Sequence, residues 1–502
     1  MHDSTGSSPL FTRQTWVFLA FIVFLSFLTF FWRYWEPAAV FWDENYHIAS
    51  AQKYLNGVYF MEQHPPLGKE LIALGEFLLH PNTRADQFIG TDYATDFQPG
   101  FSFAGYRFFS ALLGWFAAPI LFLVFLLIAR NPLFAALLSF LYVFDNALVV
   151  HIRGAMLEGP LMCFSVLTIL AFLSLLEWGD RRKFFLWGSV LFGVAFGLTF
   201  MTKLFGLALI LFLPAYLVTL LPNWKKMVES TGLFLGGFLL VFCSVWYVHF
   251  ALGKTIVSTL PDNGYYQASP EYRQLLAEGR TASLLAFPIM VRDSLAYVPF
   301  YNRGAPRIDL CKADENGSPF YLWPLGARAI NYRWETPDGT SYRYLYLQSN
   351  PVVWLLSSFG VLVGFCLLLA SYLFDPAPQI RQRYLLAVFV GLYAAYMIAI
   401  SMIDRVLYLY HYFSPLLLSM IVLGIVLLEI QRVWRWRITE QIRTIALLVL
   451  AALIFVSYEY YRPFSYYEPI TDAQFNRRNL LPIWELTNVH TPRVNSLAVP
   501  CR

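Results

Sequence analysis

The sequence predicts an all-α polytopic membrane protein with about eleven transmembrane helices. Three observations carry this. Of 502 residues, 58% are hydrophobic and 18% aromatic but only 14% charged, with a mean hydropathy of +0.52, a composition foreign to soluble domains. Apolar runs of about twenty residues, the length that crosses a bilayer, recur along the whole chain. Basic residues cluster on alternate connections between those runs, as cytoplasmic loops require.

The first run, Trp16 to Trp32, leads into the aromatic series Phe30, Phe31, Trp32, Tyr34 and Trp35, which suits a membrane interface. It lacks a small-residue cleavage site and is expected to stay as the first span. Spans are then expected near residues 15–34, 106–129, 132–150, 157–177, 184–201, 204–222, 230–251, 351–373, 384–402, 406–429 and 444–460. With a cytoplasmic N-terminus, that side carries Arg130; Arg181, Arg182 and Lys183; Lys225 and Lys226; Arg381 and Arg383; and Arg432, Arg435, Arg437 and Arg443. The other side receives three polar segments, residues 35–105, 252–350 and 461–502, around one membrane domain spanning 1–502. The net charge of +4, scattered in short clusters, excludes a nucleic-acid surface as the main purpose.

The first external segment holds the densest chemistry. Asp43 and Glu44 adjoin a membrane boundary, and His64-Pro65-Pro66 with Lys69 follows. An acid pair in a loop is ordinarily just hydrated. Beside an apolar boundary its proton affinity rises, which suits a general base. Tyr46, Ile48, Ala49, Tyr54 and Leu55 space like an amphipathic face, as do Leu71, Leu74, Phe77 and Leu78, so short interfacial helices are expected either side of the prolines. The second external segment, rich in Pro, Gly, Tyr and Trp, is expected to form turns and short helices.

Further charges stand at predicted helix ends, each with a plain structural reading beside a functional one. Arg107 either snorkels to the interface or binds a phosphate. Arg153 and Glu158 either pair to close a helix hairpin or meet substrate. Lys203 anchors lipid headgroups or holds a carrier phosphate. Arg405, Tyr410 and His411 precede Pro415, which disrupts helix regularity there. No Walker loop, dinucleotide fingerprint or zinc spacing occurs, which disfavours a nucleotide-sugar donor. Cys163, Cys243 and Cys366 lie in apolar runs, whereas Cys311 and Cys501 share the outer side and are a candidate disulfide.

Taken in order, Asp43-Glu44, His64-Pro65-Pro66-x-x-Lys69, Arg107, Arg153-x-x-x-Leu157-Glu158, Lys203-Leu-Phe-Gly206 and His411-Tyr412-x-x-Pro415 resemble the protein O-mannosyltransferases, glycosyltransferase family 39 of the GT-C superfamily. Ser318 to Pro324, Arg328 and Asn350-Pro351 to Trp354 resemble its bacterial branch, and the second external segment is too short for the β-trefoil domain of eukaryotic members. Departures are the missing Lys after Ser318, Ala329 in place of Pro and Ser349 in place of Gly; they put acceptor recognition in question.

The resemblance implies a GT-C fold and an inverting glycosyltransferase that moves a sugar, mannose above all, from a polyprenyl-phosphate carrier to a Ser/Thr hydroxyl of an exported protein. It implies Asp43 as catalytic base, with Glu44 orienting acceptor or sugar. Arg107 would bind the carrier phosphate, and His64, Lys69, Arg153, Glu158, Lys203, Arg405, Tyr410 and His411 would surround the substrates. No cofactor is required on this reading, although the two acids leave room for a divalent cation. The partners implied are the donor lipid, an acceptor polypeptide or glycan, and membrane lipids. The place implied is a bacterial cytoplasmic membrane, with the site on its outer face. Two rival functions stand beside it. One is transfer of a lipid-linked sugar or aminosugar to lipid A or a surface polysaccharide. The other is a secondary transporter or lipid flippase, which predicts two matching halves that the sequence lacks.

Overall fold

The computed structural model describes residues 10–82, 97, 100–257, 262–312, 315–374, 380–433, 435–491 and 493. Helix α1 (Arg13–Ser26) starts where the Thr12 hydroxyl accepts from the Thr15 amide, and it continues through a wider turn, Phe27–Phe31. Two short helices follow, α2 (Glu44–Leu55) and α3 (Leu67–Leu79). Then come α4 (Ala104–Ala129), α5 (Pro132–Val143), α6 (Asn146–Ile152), α7 (Glu158–Trp178), α8 (Arg182–Thr202), the 3-10 segment Leu204–Leu211 running into α9 (Phe212–Thr219), and α10 (Trp224–Leu252). The second external segment contributes α11 (Asn263–Gln267), α12 (Pro270–Ala277) and α13 (Phe287–Gly304). It also contributes strands β1 (Ile330–Glu335) and β2 (Tyr342–Leu347). The last spans are α14 (Pro351–Leu373), α15 (Arg383–Ser401), α16 (Phe413–Glu429) and α17 (Glu440–Tyr466). A small hairpin, β3 (Arg432–Val433) with β4 (Trp436–Arg437), joins the last two; β5 (Pro469–Ile470) and α18 (Asp472–Arg478) follow.

Among the described residues, nine helices are long and apolar enough to cross a membrane, or ten if the bent pair α5–α6 is one span. Two of the eleven expected runs are not single regular helices. Run 132–150 breaks because Asp145 accepts from the Leu148 amide at 2.9 Å and starts a new helix, bent 63° from α5. Run 204–222 is no regular helix, yet its ends lie on opposite sides of the protein. Lys203 reaches Glu158 on the side that bears Asp43, whereas α10 begins beside the Arg182–Glu229 pair on the other side. Eight 3-10 residues at about 2.0 Å and eight α residues at about 1.5 Å give a reach of about 28 Å, close to the hydrocarbon thickness of about 30 Å. The short run thus makes a crossing.

Small residues let the helices approach. Gly193 on α8 and Gly237 on α10 each face a backbone carbonyl of the other helix, where any side chain would collide. Helix α16 is almost wholly enclosed, whereas α1, α14 and α17 turn broad apolar faces outward. In the first external segment α3 exposes Leu74, Phe77, Leu78 and Leu79, as an interfacial helix should. Helix α2 does not; nearly all of it is buried between α3, α10 and the membrane helices, so it belongs to the protein interior.

All three external segments meet on one face. Val58 bridges to Thr255, and Lys53 pairs with Asp262 at 3.1 Å. The second segment differs from the turns and short helices expected. β1 and β2 form an antiparallel hairpin, and β5, from beyond α17, adds the third strand. Residues after β5 continue the clamp, with Arg328 and Ala329 amides donating to the Ile483 and Trp484 carbonyls at 3.0 and 2.9 Å. The Thr487 amide also bonds the Tyr346 hydroxyl at 3.0 Å. Cys311 is disulfide-bonded and Cys163, Cys243 and Cys366 are free, while Cys501 lies outside the described residues.

Candidate active site

Residues 35–43 run from the end of the first span to α2. Trp42 adopts a φ of +50°, unusual for a residue with a side chain, and its ring is held by Tyr332 at 5.1 Å and Tyr408 at 5.3 Å. That kink delivers Asp43 to the start of α2, where its carbonyl accepts from the Tyr46 and His47 amides. Asp43 is partly exposed, and one oxygen accepts from the Tyr410 hydroxyl at 2.9 Å. Burial raises the proton affinity of Asp43; the Tyr410 bond and the nearby Lys203 and His151 oppose the rise, and Glu158 adds to it.

Glu44, one residue on, has another fate. It is fully buried, and each oxygen takes two N–H groups: Oε1 from Arg107 Nε at 2.6 Å and the Ala155 amide at 2.8 Å, Oε2 from Arg107 Nη2 at 2.8 Å and the Phe41 amide at 3.1 Å. Arg107, also fully buried, spends its remaining donors on the carbonyls of Trp35, Pro37 and Ala39 at 2.6–2.8 Å. The expectations that Arg107 binds a phosphate and that Glu44 contacts substrate are therefore corrected. Both are saturated within the protein, and together they fix the segment that carries Asp43.

The expected pairing of Arg153 with Glu158 also fails. Arg153 donates to the carbonyls of Thr29, Trp32 and Arg33, capping the end of the first span, and its guanidinium lies over the Tyr466 ring. Glu158 instead pairs with Lys203 and accepts from His151 Nε2 at 2.8 Å. On its other nitrogen His151 meets the Tyr332 hydroxyl at 2.6 Å, and its ring stacks on Tyr410 at 4.7 Å. Lys203 Nζ stands 5.2 Å over that same Tyr410 ring. Glu158 thus acts as a counter-ion behind the recess rather than a group facing substrate.

Beside the recess opens a cavity of about 470 Å3. Leu204, Leu207, Ala208 and Ile210 from the 3-10 segment and Ala399 and Ile400 from α15 form apolar walls, and Gln63, His64, Asp404 and Arg405 form a polar end. Arg405 gives one bond to Gln63 at 3.0 Å and is only half-buried. Burial and the cations Lys203, Lys69 and Arg405 hold the His64 pKa well below its usual value, so this ring is neutral. The cavity connects to Asp43 through touching rings. Phe205 meets His411 at 5.0 Å, His411 stacks on Tyr410 at 4.5 Å, and Tyr410 bonds Asp43. Lys69 is not part of this rim. It pairs with Glu62 and bonds Ser50 at 3.1 Å, tying α3 to α2, so its expected place beside the substrates is corrected.

The structure thus gathers Asp43, His64, Lys203, Arg405, Tyr410 and His411 around one recess, and sets Glu44, Lys69, Arg107, Arg153 and Glu158 behind it as supports. Trp42, His151, Tyr332 and Gln63 join the recess although sequence reasoning passed them over. His151 was legible as the head of the Arg153–Glu158 motif; Tyr332 sits in a strand that was not expected. Among the described residues no group of three or more His, Cys, Asp or Glu side chains is placed to hold a metal ion.

Residues 20–261 match the family described as dolichyl-phosphate-mannose-protein mannosyltransferase, and residues 306–484 match the C-terminal four-transmembrane region of protein O-mannosyltransferases. Protein O-mannosyltransferase 1 of Drosophila pseudoobscura pseudoobscura is 32% identical over 231 residues, 43% of this chain and 25% of that protein. The polyprenol-phosphate-mannose–protein mannosyltransferase of Mycolicibacterium smegmatis is 24% identical over 475 residues, 86% of this chain and 83% of that protein. The matches to three eukaryotic relatives span only 25%, 17% and 19% of their length. Among solved structures, the Saccharomyces cerevisiae protein O-mannosyltransferase Pmt1–Pmt2 complex bound to the sugar donor aligns with a TM-score of 0.75 at 15% identity, over 95% of this chain and 93% of that one. This likeness is one of fold.

Proposed function

The chain belongs to the protein O-mannosyltransferase family, and from that premise we propose that it transfers mannose from a polyprenyl-phosphate carrier to a Ser or Thr hydroxyl of an exported protein. One observation carries the proposal: a partly exposed carboxylate of raised proton affinity, Asp43, stands near a cavity whose walls are apolar and whose polar end carries the half-buried Arg405, with Lys203 close by. That is the complement of a lipid phosphate with a long isoprenoid tail.

The isoprenoid lies between the 3-10 segment and α15, with its phosphate at Arg405 and Lys203. Asp43 takes the proton of the acceptor hydroxyl as its oxygen attacks the anomeric carbon from the face opposite the phosphate. The bond from that carbon to the phosphate oxygen breaks, the glycosidic bond forms with inversion, and polyprenyl phosphate leaves with its charge held by Arg405 and Lys203. The basic side chains do this work without a required cofactor. Glu44 and Arg107 hold Asp43 in place. The Arg- and Lys-rich connections opposite the recess support a cytoplasmic placement of that side, and on this reading transfer occurs at the outer face of a bacterial cytoplasmic membrane.

The test is transfer from radiolabelled polyprenyl-phosphate-mannose to a Ser/Thr-rich peptide by the full chain in lipid, with Asp43→Asn beside it. Labelled peptide with the wild type and none with the variant supports the reading. Carrier consumed in an Arg405-dependent way without peptide labelling means that the acceptor is another hydroxyl compound. Failure to bind or consume any polyprenyl-phosphate sugar overturns the reading.

A further inference from the structure

A second cavity, of about 1030 Å3, lies between α1 and α17 on the Asp43 side. It shares no lining residue with the 470 Å3 cavity, and the Pro37–Ala39 stretch walls it off from Asp43. Its lining divides in two. Leu25, Leu28, Phe144 and Phe455 form an apolar part. Five guanidiniums, Arg33, Arg153, Arg333, Arg343 and Arg462, ring the other part. Four carboxylates, Glu36, Glu335, Glu459 and Glu468, stand among them.

The charges do not cancel. Arg33 pairs with Glu36, Arg343 with Glu335 at 3.2 Å, and Arg462 with Glu459 and Glu468 at 3.5 and 3.3 Å. Among the described residues, Arg153 and Arg333 have no carboxylate within 4 Å. Arg153 is held by the carbonyls of Thr29, Trp32 and Arg33, but Arg333 makes one long bond, 3.4 Å, to the Val40 carbonyl, and its buried Nε has no hydrogen-bond partner. The site therefore calls for an anion. It also calls for a tail, because the apolar part opens between two helices whose outer faces carry Phe24, Trp32, Leu453 and Val456 toward lipid.

We propose that this cavity binds one phospholipid of the leaflet on the Asp43 side, its phosphodiester at Arg333 and Arg462 and an acyl chain along Leu25, Leu28 and Phe455. Trp32 and Tyr466, also in the lining, stand at the junction where aromatic residues meet headgroups. A free phosphate leaves the apolar part empty. The polyprenyl-phosphate donor cannot react from here, since the 37–39 backbone separates it from Asp43. The bound lipid presses on that backbone, whose Pro37 and Ala39 carbonyls accept from Arg107, and so buttresses the support of Asp43 from behind.

The test is native mass spectrometry of the full chain released from nanodiscs, titrated separately with phosphatidylglycerol, a diacylglycerol of matched chains and inorganic phosphate. One phosphatidylglycerol is expected to be retained roughly tenfold more tightly than diacylglycerol, the scale of a charge-assisted bond, with no retention of inorganic phosphate. Arg333→Gln with Arg462→Gln is expected to lower retention about tenfold. Leu28→Trp, which fills the apolar part without touching a charge, is expected to lower it as well, and it decides the matter if the double variant does not fold. Arg405→Ala, at the other cavity, leaves this retention unchanged; a loss there assigns the lipid to the donor groove and overturns the proposal. Equal retention of diacylglycerol, retention of phosphate alone, or wild-type retention by folded variants also overturns it.

Discussion

Replacing Glu44 by Gln distinguishes a support from a substrate contact. Each Glu44 oxygen accepts two N–H groups, Oε1 from Arg107 and Ala155 and Oε2 from Arg107 and Phe41. An amide offers one oxygen and one NH2, so either orientation leaves two N–H donors facing a donor. It also removes the one carboxylate paired with the fully buried Arg107 guanidinium among the described residues. Breaking one side of a buried ion pair costs about 3–5 kcal/mol, and each buried donor left unpaired costs about 1–3 kcal/mol more. The strain falls on the 35–43 segment and on the Ala155 turn, which also holds His47 through its Nδ1–H donating to the Ala155 carbonyl at 2.8 Å. Asp43 is thereby displaced. The assay is mannosyl transfer by the full chain in lipid, with donor saturation curves and thermal inactivation alongside. Glu44→Gln is expected to lower kcat at least about a hundredfold, as a misplaced catalytic group does, with a donor KM within about threefold of wild type and earlier inactivation. Wild-type activity and heat resistance would refute the support role. A large rise in donor KM with kcat preserved, in this variant or in Arg107→Lys, would return Arg107 to the carrier phosphate.

Other outcomes follow from the same geometry. Asp43→Asn is expected to lose about 10²–10⁴-fold in transfer rate. In the wild type, burial raises the Asp43 pKa, so the active carboxylate predominates above that raised value and transfer falls as pH drops through it; a wild-type profile flat down to the ordinary carboxylate range contradicts this. Tyr410→Phe removes a bond that favours the Asp43 carboxylate, so the acid limb moves to higher pH, as a rate profile against pH will read. Lys203→Met leaves Glu158 buried without its cation and is expected to destabilise by about 3–5 kcal/mol, with partial rescue by adding Glu158→Gln; additive losses in thermal inactivation would deny the coupling. Arg405→Ala is expected to raise donor KM about tenfold with a smaller change in kcat, measured by donor saturation.

The membrane helices were legible because bilayer thickness imposes length and composition on each one separately. The Asp43 region was legible for a related reason: its polar residues interrupt an apolar chain. What the sequence hid was partnership at a distance. Arg107 in Tyr106-Arg107-Phe108 reads equally as a snorkelling or a phosphate-binding residue, because its partner Glu44 is 63 positions away and its other acceptors are three backbone carbonyls that any residues at 35, 37 and 39 would supply. Arg153 and Glu158, one turn or so apart, read as a pair, yet Lys203 and His151 take the carboxylate once α7 and α8 pack. Two misses had local signals. Asp145-Asn146 in mid-run is a helix start, and Pro337-Asp338-Gly339 between Ile-Asn-Tyr-Arg-Trp and Tyr-Arg-Tyr-Leu-Tyr is a hairpin turn.

The strand that joins from beyond the last span sets an order of events during synthesis. The chain emerges from its N-terminus at about 5–20 residues per second, so the acids of α2 are made on the order of half a minute before residues 469–489 arrive. Tyr332, which steadies both His151 and Trp42, belongs to the hairpin those residues close. Until those residues arrive, the β1–β2 hairpin that carries Tyr332 lacks its third strand, so the wall beside Asp43 is completed only after the last span has been made.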